Sequence, residues 1–178
     1  YFVQIAPFDY GPSGLNSAYL REAQLKASTA IKNIGMACIM DIGEKDCIHP
    51  ANKEAGSKRL ALQALAQTYG MKGIAGQSPV LKEMKAAEGV VKLTFENAPN
   101  GLTSYGKELN CFEVAGTNKR FFPAKAFITG TGITVFSPSV AEPVAVRYAF
   151  KDFVVGDLFS TDGLPVSSFR TDEWEPEK

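Results

Sequence analysis

The sequence is short of the groups that common metal and nucleic-acid sites require. It contains one histidine, His49, and three cysteines, Cys38, Cys47 and Cys111. A zinc-finger type of site therefore lacks its ligands, and neither a metal nor another cofactor is expected. Three cysteines cannot all pair, which excludes a disulfide framework. There is no excess of charge of either sign: 19 basic and 19 acidic residues cancel. A nucleic-acid binder shows a basic excess or stripe, so no nucleic-acid partner is expected. The longest purely apolar stretch, Ile34 to Met40, is far below the roughly 20 residues that cross a bilayer, and no membrane partner is expected. No charged segment precedes the first apolar run, so no signal peptide is visible. What is present is ordinary: 45% hydrophobic and 21% charged residues describe a globular chain and exclude a disordered one.

The chain opens on Tyr1-Phe2-Val3-Gln4-Ile5, a run that reads as the middle of a buried strand and hence as the start of a fragment or a processed product. Beyond it, two regions differ in texture. Residues 1–73 alternate strand-like and helix-like segments. Tyr1 to Ala6 reads as a strand buried on both faces. Pro7 to Gly14 is loop. Asn16 or Ser17 caps a helix to about Ile31. Gly35 to Met40 reads as a second buried strand, Asp41 to His49 as a polar loop. Pro50 opens a second helix with Ala55, Leu62, Leu65, Ala66 and Tyr69 on one face. Strand–helix–strand–helix implies a parallel sheet covered by helices, and two strands do not make a stable one. The remaining strands are expected upstream.

Residues 74–178 hold short alternating runs between turns. Val91, Leu93 and Phe95 alternate with Lys92, Thr94 and Glu96, and Val80 to Lys85 pairs with them across Ala86 to Gly89. Phe112 and Val114, then Ala126 and Ile128, then Ile133 to Phe136, then Val144, Val146 and Tyr148 give further strands. This spacing fits an antiparallel β-sandwich. The tail, Thr171 to Lys178, is acidic, contains Pro176, and is expected to be mobile.

The chemical signal is Asp46-Cys47-Ile48-His49-Pro50. It falls in the loop after a buried strand, at the sheet edge where open α/β folds place ligands. An aspartate three residues before a histidine can accept its Nδ1–H, leaving Nε2 free to take a proton from a serine. Taken alone, the same spacing also describes a surface histidine near a helix start, with Asp46 as a cap. Cys47 is two residues from His49 and reads as an inert thiol rather than a nucleophile. Arg21 and Arg147 are the types that grip a carboxylate, or else make structural ion pairs. Phe8 and Tyr10 lie on a loop that shares the edge with His49, where they line a sugar pocket or pack on the surface.

Asp41-Ile42-Gly43, Asp46, Ile48-His49-Pro50, Asn52-Lys53, Arg59-Leu60-Ala61-Leu62 and Ala64-Leu65-Ala66 with Tyr69-Gly70 resemble the end of the catalytic domain in sialate O-acetylesterases. These are SGNH-type carbohydrate esterases. Phe2-Val3-Gln4-Ile5-Ala6-Pro7-Phe8, Leu20-Arg21-Glu22-Ala23-Gln24, Val146-Arg147-Tyr148-Ala149, Gly163-Leu164-Pro165 and Phe169-Arg170-Thr171-Asp172 are similar to the same family. The resemblance implies the C-terminal part of an SGNH-type parallel-sheet α/β/α domain over residues 1–73, followed by a β-sandwich domain over 74–178. It implies an esterase that removes acetyl groups from sugars, commonly sialic acid, with a Ser-His-Asp mechanism. His49 and Asp46 match the family's last block, and Tyr10, Phe8 and Arg21 are substrate-binding candidates. The serine block belongs in an absent N-terminal part of the same protein, which is thus a required partner alongside the O-acetylated sugar. This chain alone is then expected to be inactive. The family is mostly secreted, periplasmic or lysosomal. Gly76-Gln77-Ser78-Pro79 imitates the serine block but comes after the histidine and leads into the β-domain, so Ser78 is expected to be a turn residue. The alternative is a non-catalytic β-sandwich, sugar-binding or structural, with a remnant α/β segment.

Overall fold

The computed structural model describes residues 1–174; of the expected acidic tail, residues 175–178 lie outside that range. Two four-stranded antiparallel sheets form the bulk of the molecule. One has the order β3 (Val80–Ala87), β4 (Val90–Glu96), β9 (Gly132–Phe136), β8 (Lys125–Thr129). The other has the order β12 (Phe169–Arg170), β10 (Ala145–Tyr148), β6 (Phe112–Ala115), β7 (Phe121–Pro123). A short pair, β5 (Leu102–Thr103) with β11 (Phe159–Ser160), lies beside them. Alternation decides which side chains face inward: Val91 and Leu93, Ile133 and Val135, Phe112 and Val114, and Val146 and Tyr148 are all buried. They form one core across the sandwich, closed by the Phe95–Phe169 edge-to-face contact at 5.9 Å. Each such side chain contributes about 1.5–3 kcal/mol by leaving water. The β3–β4 hairpin turns on Glu88 and Gly89, both at positive φ, the geometry that matches strand twist.

The first region packs on this sandwich and shares its core, to which Cys38 and Met40 belong. Of the expected parallel sheet, the described residues hold one pair: β1 (Phe2–Val3) beside β2 (Met36–Ala37), joined by helix α1 (Asn16–Ala30). The opening strand is shorter than expected and is not buried on both faces; Tyr1 and Val3 are 49% and 38% exposed. Among the described residues β1 has a single neighbouring strand, β2.

Helix α1 begins where expected but takes its cap from elsewhere. Neither Asn16 nor Ser17 caps it. The Ser17 backbone N–H and hydroxyl donate to Asp152 Oδ1, at 2.6 and 3.0 Å. A carboxylate satisfies orphan N–H groups and complements the positive end of the helix dipole. Asp152 also clamps the loop before the helix through its backbone, accepting from Phe8 N and donating to the Gly14 carbonyl.

Helix α2 (Lys53–Gln63) starts later than Pro50, capped by Asn52 Oδ1 on Ala55 N at 3.1 Å. It ends in a π-helical turn, Ala64–Thr68. That wider turn shifts the angular phase of the residues after it. Tyr69, expected on the buried face, is 74% exposed, whereas Gly56 and Gln63 are the buried residues of α2. The start of the C-terminal tail is also held: Arg147 forks onto Asp172 at 2.9 and 2.8 Å, and Arg170 Nη1 donates to the Trp174 carbonyl.

Candidate active site

Because β1 and β2 run parallel, the loops leaving their C-terminal ends lie at one edge. They touch: Asp9 N donates to the Lys45 carbonyl at 3.3 Å, and Gly43 sits against Pro7, leaving no room for a side chain. Phe8, Tyr10, Asp46 and His49 therefore share that edge. The loop carrying Asp46 and His49 is fixed at its base. Arg59 forks onto Asp41 with both bonds at 2.7 Å and also donates to the Cys38 carbonyl. Further along, Glu44 Oε1 accepts from Ala51 N at 2.6 Å, and Asn52 then caps α2. This bracing is not foreseen from the sequence. Its signal is a carboxylate at the end of a strand and an arginine on the first turns of the next helix.

Asp46 and His49 are both exposed at the top of the braced loop. Among the described residues no hydrogen bond joins their side chains, and no hydroxyl is bonded to the His49 ring. Cys47 Sγ donates to the His49 carbonyl at 3.2 Å, so the thiol engages the histidine's backbone and not its imidazole. Phe8 and Tyr10 pack edge to face at 4.9 Å, with the Tyr10 hydroxyl on the Ala6 carbonyl. Burial leads the causes that raise the Tyr10 hydroxyl above its ordinary pKa, with Asp152 adding and Arg21 opposing; it is protonated at neutral pH.

Arg21 does not belong to this edge. It is fully buried, and its guanidinium donates to Ser168 Oγ at 3.0 Å, Ser17 Oγ at 2.8 Å and the Lys151 carbonyl. A group with no exposed surface and donors spent on protein cannot bind substrate, so the expectation that Arg21 contacts the sugar is corrected. Arg147 is likewise committed to Asp172 and stands 4.0 Å over the Phe121 ring. Ser78 is a loop residue whose carbonyl accepts from Asn97, and it lines a cavity with Gly35 and Gln63 at the start of β2, the edge opposite His49. No cluster of three or more His, Cys, Asp or Glu side chains is placed to hold a metal among the described residues.

The three thiols differ in a way that can be measured. Cys47 is exposed, Cys38 is buried and Cys111 is half-buried. Burial pushes the Cys38 and Cys111 thiols up to about 12, with Asp157 adding to the shift at Cys111. The thiolate is the reactive form. At mildly alkaline pH an aromatic disulfide reagent is expected to titrate Cys47 and to reach the other two after denaturation. Immediate reaction of all three in the native chain contradicts this.

No protein-family model matches the chain, and no curated protein does. The comparison with solved structures does find similarity. The chain resembles a novel carbohydrate acetylesterase from Xanthomonas citri. The TM-score is 0.89 and the identity 39%, over 97% of this chain. The chain spans 40% of the length of that protein. Identity at this level over nearly all the residues goes beyond likeness of fold. Among the described residues no helix is long and apolar enough to cross a membrane.

Proposed function

We propose that this chain is part of a carbohydrate O-acetylesterase and supplies the histidine and aspartate of a Ser-His-Asp mechanism. The single observation that carries the reading is the 39% identity with the Xanthomonas citri acetylesterase across 97% of the chain. The position of His49 and Asp46, exposed on a braced loop at the C-terminal edge of parallel strands, agrees with it. In the proposed reaction a serine Oγ attacks the acetyl carbonyl as His49 Nε2 takes its proton. The tetrahedral adduct collapses, and the same proton passes to the departing sugar oxygen. Water then attacks the acetyl-enzyme, giving its proton to His49. Acetate leaves and the serine is reprotonated. Asp46 swings onto Nδ1–H to hold the ring and stabilise its charged form, a contact of the kind that tightens when the site is complete.

The serine is assigned to a segment outside these 178 residues, consistent with the 40% share of the similar enzyme. The edge of β1 away from β2, which pairs with no strand among the described residues, is the natural seat for its strands. Arg21 and Arg147 are committed to protein partners and so give no support for an acidic sugar, and the substrate is proposed as acetylated sugars in general.

Complementation tests the reading. The chain alone is expected to release no acetate from an O-acetylated sugar, and the chain produced together with the remainder of its protein is expected to do so. Turnover by the chain alone contradicts the external serine; no turnover by the complete protein contradicts the esterase.

A further inference from the structure

Two carboxylates after β2 reach across the same loop. Asp41 takes the Arg59 fork at its base. Glu44 closes a second, tighter ring inside the first: its Oε1 accepts the Ala51 N–H at 2.6 Å. Between Glu44 and Ala51 lie Asp46, Cys47 and His49. The two closures hold different things. The first fastens α2 to the strand, and the second fastens the backbone that carries the imidazole. From Glu44 to Ala51 only Pro50 is buried, so packing gives this stretch little of its shape and the polar closures give it most. A bond to an ionised carboxylate is the strongest kind among them.

Glu44 reaches from a fixed footing. Before it, Gly43 is packed against Pro7; after it, the Lys45 carbonyl accepts from Asp9 N at 3.3 Å. Both contacts are with the loop that leaves β1. Its target is fixed as well. The Ala51 carbonyl accepts from Lys53 N at 2.9 Å, and Asn52 caps α2. Two residues before Ala51, the His49 carbonyl accepts the Cys47 thiol at 3.2 Å, and the ring of Pro50 fixes φ between them. The backbone from His49 to Ala51 is thus held in succession at a carbonyl, a ring and an N–H. What is left to the imidazole is rotation about its own side-chain bonds.

We infer that Glu44 is a positioning residue for His49: by clamping Ala51 it holds the imidazole where a proton can be taken from the nucleophile, without itself touching substrate. The reaction it serves rests on the acetylesterase reading; the clamp rests on the loop geometry alone. A general base must meet its proton across about 2.6–3.2 Å, and a misplacement of about 1 Å can cost on the order of a hundredfold in rate. Without the bond to Ala51 the ring closed by Glu44 opens, and the loop carrying His49 samples a wider set of shapes.

Reach and charge separate the clamp from an effect of charge. Glu44→Gln keeps the reach and an acceptor oxygen; Glu44→Asp keeps the charge but is one methylene short. Glu44 is exposed, so none of these changes is expected to unfold the chain. In the complete protein, Glu44→Ala and Glu44→Asp are each expected to lower kcat for acetate release about tenfold or more, with KM within about twofold. Glu44→Gln is expected to stay within about threefold of wild type. On a His49→Ala background, Glu44→Ala is expected to cost no more than about twofold further, because it acts through the ring. Amide hydrogen exchange on the 178-residue chain reads the clamp without turnover: the Ala51 amide is expected to exchange about tenfold faster in the Ala and Asp variants and near the wild-type rate in Gln, with α2 amides unchanged. Unchanged kcat in Glu44→Ala, rescue by Asp rather than Gln, a full further loss on His49→Ala, or an Ala51 amide that exchanges no faster overturns the inference. A wild-type complete protein that releases no acetate contradicts the esterase reading, and the positioning role with it, while the exchange rates still decide the clamp; the two failures are therefore distinguishable.

Discussion

His49→Ala is expected to lower acetate release by the complete protein about ten-thousand-fold, with substrate binding nearly unchanged. The imidazole is the one group assigned to take the serine proton, return it to the sugar oxygen and then activate water. In analogous triads, losing a member removes the larger part of the chemistry and leaves only oxyanion stabilisation and binding, a loss on the order of 10⁴ or more. The KM should stay within a few-fold, because an exposed ring on a loop adds little to ground-state binding. Asp46→Asn separates the two roles. If the carboxylate only caps the loop, its amide serves nearly as well; if it holds Nδ1–H and the charged ring, kcat falls steeply while the folded chain keeps its stability. Turnover of His49→Ala at the wild-type rate would falsify the assignment of His49 as general base.

Arg21→Ala is the substitution expected to damage the fold most. The guanidinium is enclosed, and desolvation pulls its pKa down to about 10, with Cys38, Asp152 and Tyr10 opposing; it is still charged at neutral pH. Its removal strips a partner from Ser17, Ser168 and the Lys151 carbonyl. It also leaves Asp152 as a buried carboxylate whose Oδ2 already lacks a partner. Deleting one member of such a buried network costs about 3–5 kcal/mol, a large share of the roughly 5–15 kcal/mol that holds a domain folded. Urea unfolding should show the midpoint falling at an unchanged slope. Arg21→Lys should recover only part, since an ammonium cannot reproduce the fork. A loss below about 1 kcal/mol in Arg21→Ala would show that the cluster contributes little.

The contrast between these residues explains what could be read in advance. Period-two alternation is local, so Val91, Leu93 and Phe95, the hairpin partner Val80 to Lys85, and Phe112 with Val114 were legible from their neighbours. The loop edge shared by Phe8, Tyr10 and His49 came from the parallel order of two strands, which needs only the helix between them. Arg21 was not legible in the same way, because Ser168 and Lys151 lie 147 and 130 positions away and no pattern in the sequence marks them as partners. An arginine on a helix looks alike whether it faces solvent, substrate or core. The exposure of Tyr69 escaped because a helical wheel assumes a constant turn, and one π-helical turn breaks that assumption. The bracing of the Asp46–His49 loop by Asp41 and Arg59 was hidden by the 18 positions that separate them.

The remote cap on α1 has a consequence for the growing chain. The first turn of that helix finds its carboxylate 135 positions downstream, and the loop ahead of it hangs on the same residue's backbone. On a ribosome these residues wait for some 135 further residues to be made before their anchor arrives. A nascent chain halted before Asp152 lacks the seam that fastens the opening segment, and also lacks strands β11 and β12. Contacts of such long range form slowly, so the candidate catalytic edge is set only once the segment around Asp152 has packed.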